Sequence, residues 1–246
     1  RCLQLRGEYM FVAEGKGGFR VFDAASVANK GVSQRVVSAP FSPLGHNTHV
    51  PSKNATCMAL PTNQNIAPLR NEAMQKMMVK DAVTGADVSL LQANQEQTFH
   101  PLYSYAVVTD SEEGLILVNV NTLADGEPRN NKLKRAATWN AGGVLRGARH
   151  ITLGGHYAYI AADAGLVVVD LNDPLKPRHV TTVALPDVRA SALQFRYLWV
   201  TTARGLEVLD VTKLDQPKLV EGATVPLVDA RRVYVARTFA YVAAKK

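Results

Sequence analysis

Residues 149–170 read RHITLGGHYAYIAADAGLVVVD and residues 189–210 read RASALQFRYLWVTTARGLEVLD, one pattern written twice at a spacing of 40. Residues 1–23 (RCLQLRGEYMFVAEGKGGFRVFD) follow it as well. A fourth copy is split, opening at Thr56–Leu60 and resuming at Tyr103–Asn119, and a fifth begins at Arg231 (RRVYVARTFAYVAA). A unit that recurs at this period buries its apolar faces on its own neighbours, so the chain is a series of stacked supersecondary units.

Within each copy a short first strand (Arg149–Leu153) leads to a second (Tyr157–Ala162), and a Gly-bearing turn leads to a third (Leu166–Asp170). Tyr157 and Tyr159 oppose Ala158 and Ile160 across the second strand, and Leu166–Val169 is apolar on both faces. Strands of that kind lie between two other layers. Turn segments follow (Asn172-Asp173-Pro174 and Leu214-Asp215-Gln216-Pro217), then a fourth segment, Arg178–Leu185 or Lys218–Val225. Four short strands in about 40 residues, stacked face to face, predict an all-β chain. The expected fold is a β-propeller, partial or of about five four-stranded blades.

The segments Gly165-Leu166-Val167-Val168-Val169-Asp170 and Gly205-Leu206-Glu207-Val208-Leu209-Asp210, each with an aromatic strand upstream, resemble the LVIVD-repeat family of β-propellers. Gly18–Asp23 and Gly114–Asn119 are weaker versions, and the resemblance covers most of the chain outside residues 61–101. It implies architecture and no catalytic residues. It further implies an extracytoplasmic setting, at the periplasm or cell surface, and relatives in which such repeats sit inside multi-haem cytochromes.

The leading position of the copies holds Arg1, Thr56, Arg149, Arg189 and Arg231, and the closing position holds Asp23, Asn119, Asp170 and Asp210. The copy without the arginine is also the one without the aspartate. This predicts structural ion pairs, Arg1 with Asp23, Arg149 with Asp170 and Arg189 with Asp210, because a half-buried charge needs a partner. There are five copies of strands one and two but four of strand three. The expectation is a segment of a larger propeller, completed by more polypeptide or by a partner protein, since open blade faces and sheet edges are a liability.

The step from leading residue to strand-two aromatic is 149 to 157, 189 to 197 and 231 to 239, but 56 to 103 in the second copy, an insertion of roughly 40 residues within 61–101. Met74, Met77 and Met78 at helical spacing after Asn71 predict a partly helical insertion with one apolar stripe. Long insertions in tight repeats are where function concentrates, so this one is the expected contact element. His46, His49, Cys57 and His100 flank it, and nitrogen and sulfur ligands of these types suit copper or zinc. Lent as an axial ligand, one of these histidines would serve a haem held by other sequence. Cys2 and Cys57 hold the same repeat position, and both a bridge and two free thiols are open.

Net charge +7 allows an acidic partner, yet the densest basic stretch, Arg129–Arg135, lacks the stacking aromatics of a nucleic-acid groove. No CxxCH motif attaches a haem to this chain, and no apolar run is long enough to insert in a membrane. Neither a phosphate loop nor a catalytic triad is readable. The functional expectation is a non-enzymatic scaffold or protein-interaction propeller, without a cofactor of its own. The alternative is the propeller part of a multi-haem assembly for electron transfer.

Overall fold

The computed structural model describes residues 2–7, 9–23, 37–38, 48–61, 78–89, 100–124 and 131–245. Each repeat is an antiparallel meander, and the sequence phasing of strands matches the observed register. The first blade comprises β1 (Leu3–Arg6), β2 (Tyr9–Ala13) and β3 (Phe19–Asp23); β4 (Val37–Ser38) and β5 (His49–Val50) both pair with β3. The second begins at β6 (Ala55–Ala59). A separate hairpin, β7 (Met78–Lys80) and β8 (Asp87–Ser89), intervenes before β9 (Tyr105–Asp110), β10 (Gly114–Asn119) and β11 (Lys134–Trp139) complete that blade. The third holds β12 (His150–Gly154), β13 (Tyr157–Ala162), β14 (Gly165–Asp170) and β15 (Arg178–Val183). The fourth holds β16 (Ala190–Gln194), β17 (Tyr197–Thr202) and β18 (Gly205–Asp210), with β19 (Lys218–Leu219) and β20 (Val225–Pro226) sharing the edge of β18. A fifth sheet has two strands, β21 (Arg232–Ala236) and β22 (Phe239–Ala243). Four blades in a propeller arrangement and a two-stranded fifth sheet are thus the observed all-β architecture.

First strands of successive blades lie side by side. The Leu60 amide donates to Gln4 Oε1 (3.2 Å), Thr56 Oγ1 donates to the Ala148 carbonyl (2.8 Å), and Thr152 Oγ1 donates to the Ser191 carbonyl (3.0 Å). The core is three slabs between blades. Phe11, Val21, Met58, Val108 and Ile116 fill the first; Leu117, Ile151, Ile160 and Val167 the second; Tyr159, Val168, Leu198 and Leu209 the third. The two-faced apolar strands supply both slabs at once: Val167 faces one and Val168 the next.

The glycine opening the third strand is required by the fourth. Gly165 and Gly205 have φ of 121° and 123°. A Cβ there would sit 2.5 Å from the Val183 oxygen and 2.2 Å from the Val225 oxygen. No side chain fits between those backbones, which is why Gly precedes the apolar run in each copy.

Among the described residues there is no α-helix, and none is long and apolar enough to cross a membrane. The helix expected after Asn71 is corrected where it can be seen. Met78–Lys80 is a strand, and Asp81 closes its hairpin by accepting at Oδ1 from the amides of Val83 and Thr84. Met74 and Met77 lie outside the described residues. Methionine spacing did not distinguish a helical stripe from a strand because the Asx turn at Asp81 governs this segment.

Candidate functional site

The leading arginines are paired, but not as their spacing suggested. A three-strand meander puts the start of its first strand and the end of its third at opposite ends of the blade. In the third blade His150 pairs with Ala161, near Gly165, whereas Asp170 pairs with Tyr157 at the far end. Arg149 therefore reaches Asp163 and Asp187 (3.0 Å), and Asp170 binds Arg178. Arg189 binds Asp187 (2.7 Å) and Asp229 (3.0 Å), while Asp210 lies 3.8 Å from Arg196. Arg231 completes the series on Asp229 (2.9 Å). Arg1 and the Asp23 side chain lie outside the described residues.

Asp187 and Asp229 stand two residues before the leading arginine of their blade, with φ of 48° and 52°; Gly147 holds the equivalent place with φ 67°. A short polar side chain tolerates this left-handed backbone. The motif Asp-x-Arg was readable at 187–189 and 229–231, and it builds a blade-to-blade ladder of alternating charge. The closing residue does a different task. The amides of Asn172, Thr212 and Asn121 donate to Oδ1 of Asp170, Asp210 and Asn119 at 2.8, 2.8 and 3.0 Å. Asn caps that turn as well as Asp, which explains Asn119 without reference to the residue at 56.

Next to the ladder, the second position of the first strands gathers a sulfur–nitrogen cluster. Cys2 and Cys57 form a disulfide, with Cα atoms 4.7 Å apart. Both sulfurs and a ring nitrogen of His150 lie within 4.8 Å of one another. The Ser191 amide donates to His150 Nδ1 (3.2 Å), and Arg232 Nη1 reaches Cys2 Sγ at 3.5 Å. Burial, and then the nearby Arg232 guanidinium, hold the His150 pKa down to about 3, so the ring is neutral. Toward the other end of the first strands lies a cavity of about 310 Å³ lined by Gln4, Met58, Leu60, Thr152, Leu153 and Leu193.

Among the described residues, the ligand set expected around the insertion does not come together. Cys57 is bonded to Cys2. His49 Nε2 lies 2.7 Å from the Gly17 carbonyl on the first blade. His100 Nδ1 accepts from the Leu102 amide (3.2 Å), and its ring stacks 5.8 Å from His156 on the third blade. His46 lies outside the described residues. His150 is the histidine placed beside sulfur, and the repeat position it shares with Cys2 and Cys57 was the available signal.

Residues 146–184 match the LVIVD repeat family. No curated protein matches the chain. A crystal structure from Bacteroides fragilis, of a protein provisionally assigned as a 6-phosphogluconolactonase, is similar in fold: 14% identity, TM-score 0.58, covering 98% of this chain and 62% of that one. The computationally designed Ika8 protein shares 12% identity at a TM-score of 0.47, over 99% of this chain and 67% of its own. At such identity the first likeness concerns fold alone, and the chain spans about three fifths of the length of the Bacteroides protein.

Proposed function

We propose that this chain, whose blades are arranged as a β-propeller and whose residues 146–184 match the LVIVD repeat, serves as a non-enzymatic scaffold module whose last sheet takes further propeller-type strands of a larger assembly. One observation carries this reading. Tyr241 holds the repeat position of Tyr159, which is fully buried beneath the next blade, yet Tyr241 is 59% exposed. Tyr234 and Phe239 share its face, since Tyr234 pairs with Tyr241 and Ala236 with Phe239, and both are exposed. On the first blade, Leu3 and Leu5 alternate with Gln4, which bonds toward the second blade, and they too are exposed. Large apolar side chains grouped on an uncovered sheet face mark a contact surface. The occupant is a β-sheet of the same repeat type, because the equivalent faces of the first three blades each pack on such a sheet.

The Cys2–Cys57 bridge supports an extracytoplasmic location, where disulfides persist. Radical footprinting of the native assembly against the isolated 246-residue chain tests the reading. Protection of Tyr234, Phe239 and Tyr241 in the assembly is expected. Equal labelling in both samples would overturn it.

A further inference from the structure

We propose that the Cys2–Cys57 pair is a thiol–disulfide exchange site for an external dithiol, with Cys2 as the attacked sulfur and Arg232 as the group that holds its thiolate. The geometry distinguishes the two sulfurs. Cys57 is 2% exposed and packs among Ala59, Leu102 and Ile151, whereas Cys2 is only partly buried. An incoming thiolate therefore reaches Cys2 Sγ first. Arg232 Nη1 stands 3.5 Å from that sulfur, and a guanidinium at this distance favours thiolate over thiol. A ring nitrogen of His150 also lies within 4.8 Å of both sulfurs, and its Nδ1 accepts from the Ser191 amide, so the neutral ring carries its proton on Nε2.

The same hydrogen bond argues against a metal. Two thiolates and an imidazole suit zinc or copper(I), but a metal on Nε2 would require the proton on Nδ1, where the Ser191 N–H already points.

The step balances. One thiolate of the dithiol attacks Cys2 Sγ, a mixed disulfide forms, and the Cys57 thiolate leaves and takes a proton. The second thiolate of the reagent then closes on its own bonded sulfur and releases the Cys2 thiolate. The protein disulfide is reduced by two electrons, and the dithiol becomes a cyclic disulfide.

Dithiothreitol and glutathione are the probes. Dithiothreitol should reduce the bridge while the far-ultraviolet circular dichroism of the chain is retained, and glutathione should be trapped on Cys2, located by peptide mass. Reduction only at the rate of global unfolding, or glutathione found on Cys57, would overturn the proposal. In the Cys57→Ser chain, iodoacetamide should alkylate Cys2 at neutral pH about tenfold more slowly once Arg232→Gln is added. Arg232→Lys should restore most of that rate. Equal rates in the presence and absence of Arg232 would remove its assigned role. If Cys57→Ser does not fold, the same comparison is made on the reduced chain with both cysteines, where Cys57 is shielded.

Discussion

The carboxylate of Asp229 accepts from Arg189 at one oxygen and from Arg231 at the other, so the turn entering the fifth sheet holds the leading arginines of two successive repeats. Asp187 does the same for Arg149 and Arg189. Neighbouring first strands are thereby fixed in height by side chains; among the described residues no backbone ladder joins one first strand to the next.

Asp187 combines this pairing with a left-handed backbone, and the two contributions separate by substitution. Asp187→Ala loses both and should destabilise the chain by roughly 1–2 kcal/mol. Asp187→Gly relieves the backbone strain and should lie closer to the parent. Urea unfolding of the two variants, at low and high salt, reads the difference; equal midpoints would show that the backbone contributes nothing.

His150 sets a pH window. Its folded pKa of about 3 is below its value of about 6.5 in an unfolded chain, so the unfolded state binds more protons between those limits. The stability associated with the neutral ring is complete above pH 6.5 and falls as pH drops toward 3, by roughly 5 kcal/mol in all. Asp110, Glu113 and Asp170 also have lowered pKa values, but carboxylates lose their contribution only below about pH 4. Chemical denaturation between pH 7 and 4.5 should therefore slope downward for the parent and flatten for His150→Gln.

The disulfide closes a long loop, its cysteines separated by 55 positions in sequence. Replacing both with alanine should cost about 2–4 kcal/mol, read as a lower urea midpoint without a change of fold by circular dichroism.

Gly165 is held against the backbone of the fourth strand. Gly165→Ala meets the Val183 carbonyl and a φ of 121°, and should cost roughly 3 kcal/mol. Gly142→Ala, at φ 59° with open space around it, should cost only about 1 kcal/mol. Thermal melts of the pair compare the two; similar shifts would mean that the fourth strand moves aside.

Strand phasing and the two-stranded fifth sheet were legible because an apolar alternation and a 40-residue period leave little freedom. Side-chain partners were not. The spacing of Arg149 and Asp170 recurs in Arg189 and Asp210, but recurrence along the chain says nothing about which end of an antiparallel sheet a residue reaches. The Asp187 contacts cross from one repeat to the next, and only the stacking of first strands brings them together. Cys57 and His150 share a repeat position, but that they meet depends on how tightly the first strands crowd the axis.

In the second, third and fourth blades the turn after the third strand asks its closing residue for an oxygen that accepts one amide, and Asn119 meets that demand without charge. The lone pair is indispensable there and the carboxylate is not. A propeller of this type can therefore shift its isoelectric point blade by blade, toward an acidic or a basic partner, while every strand keeps its length and register.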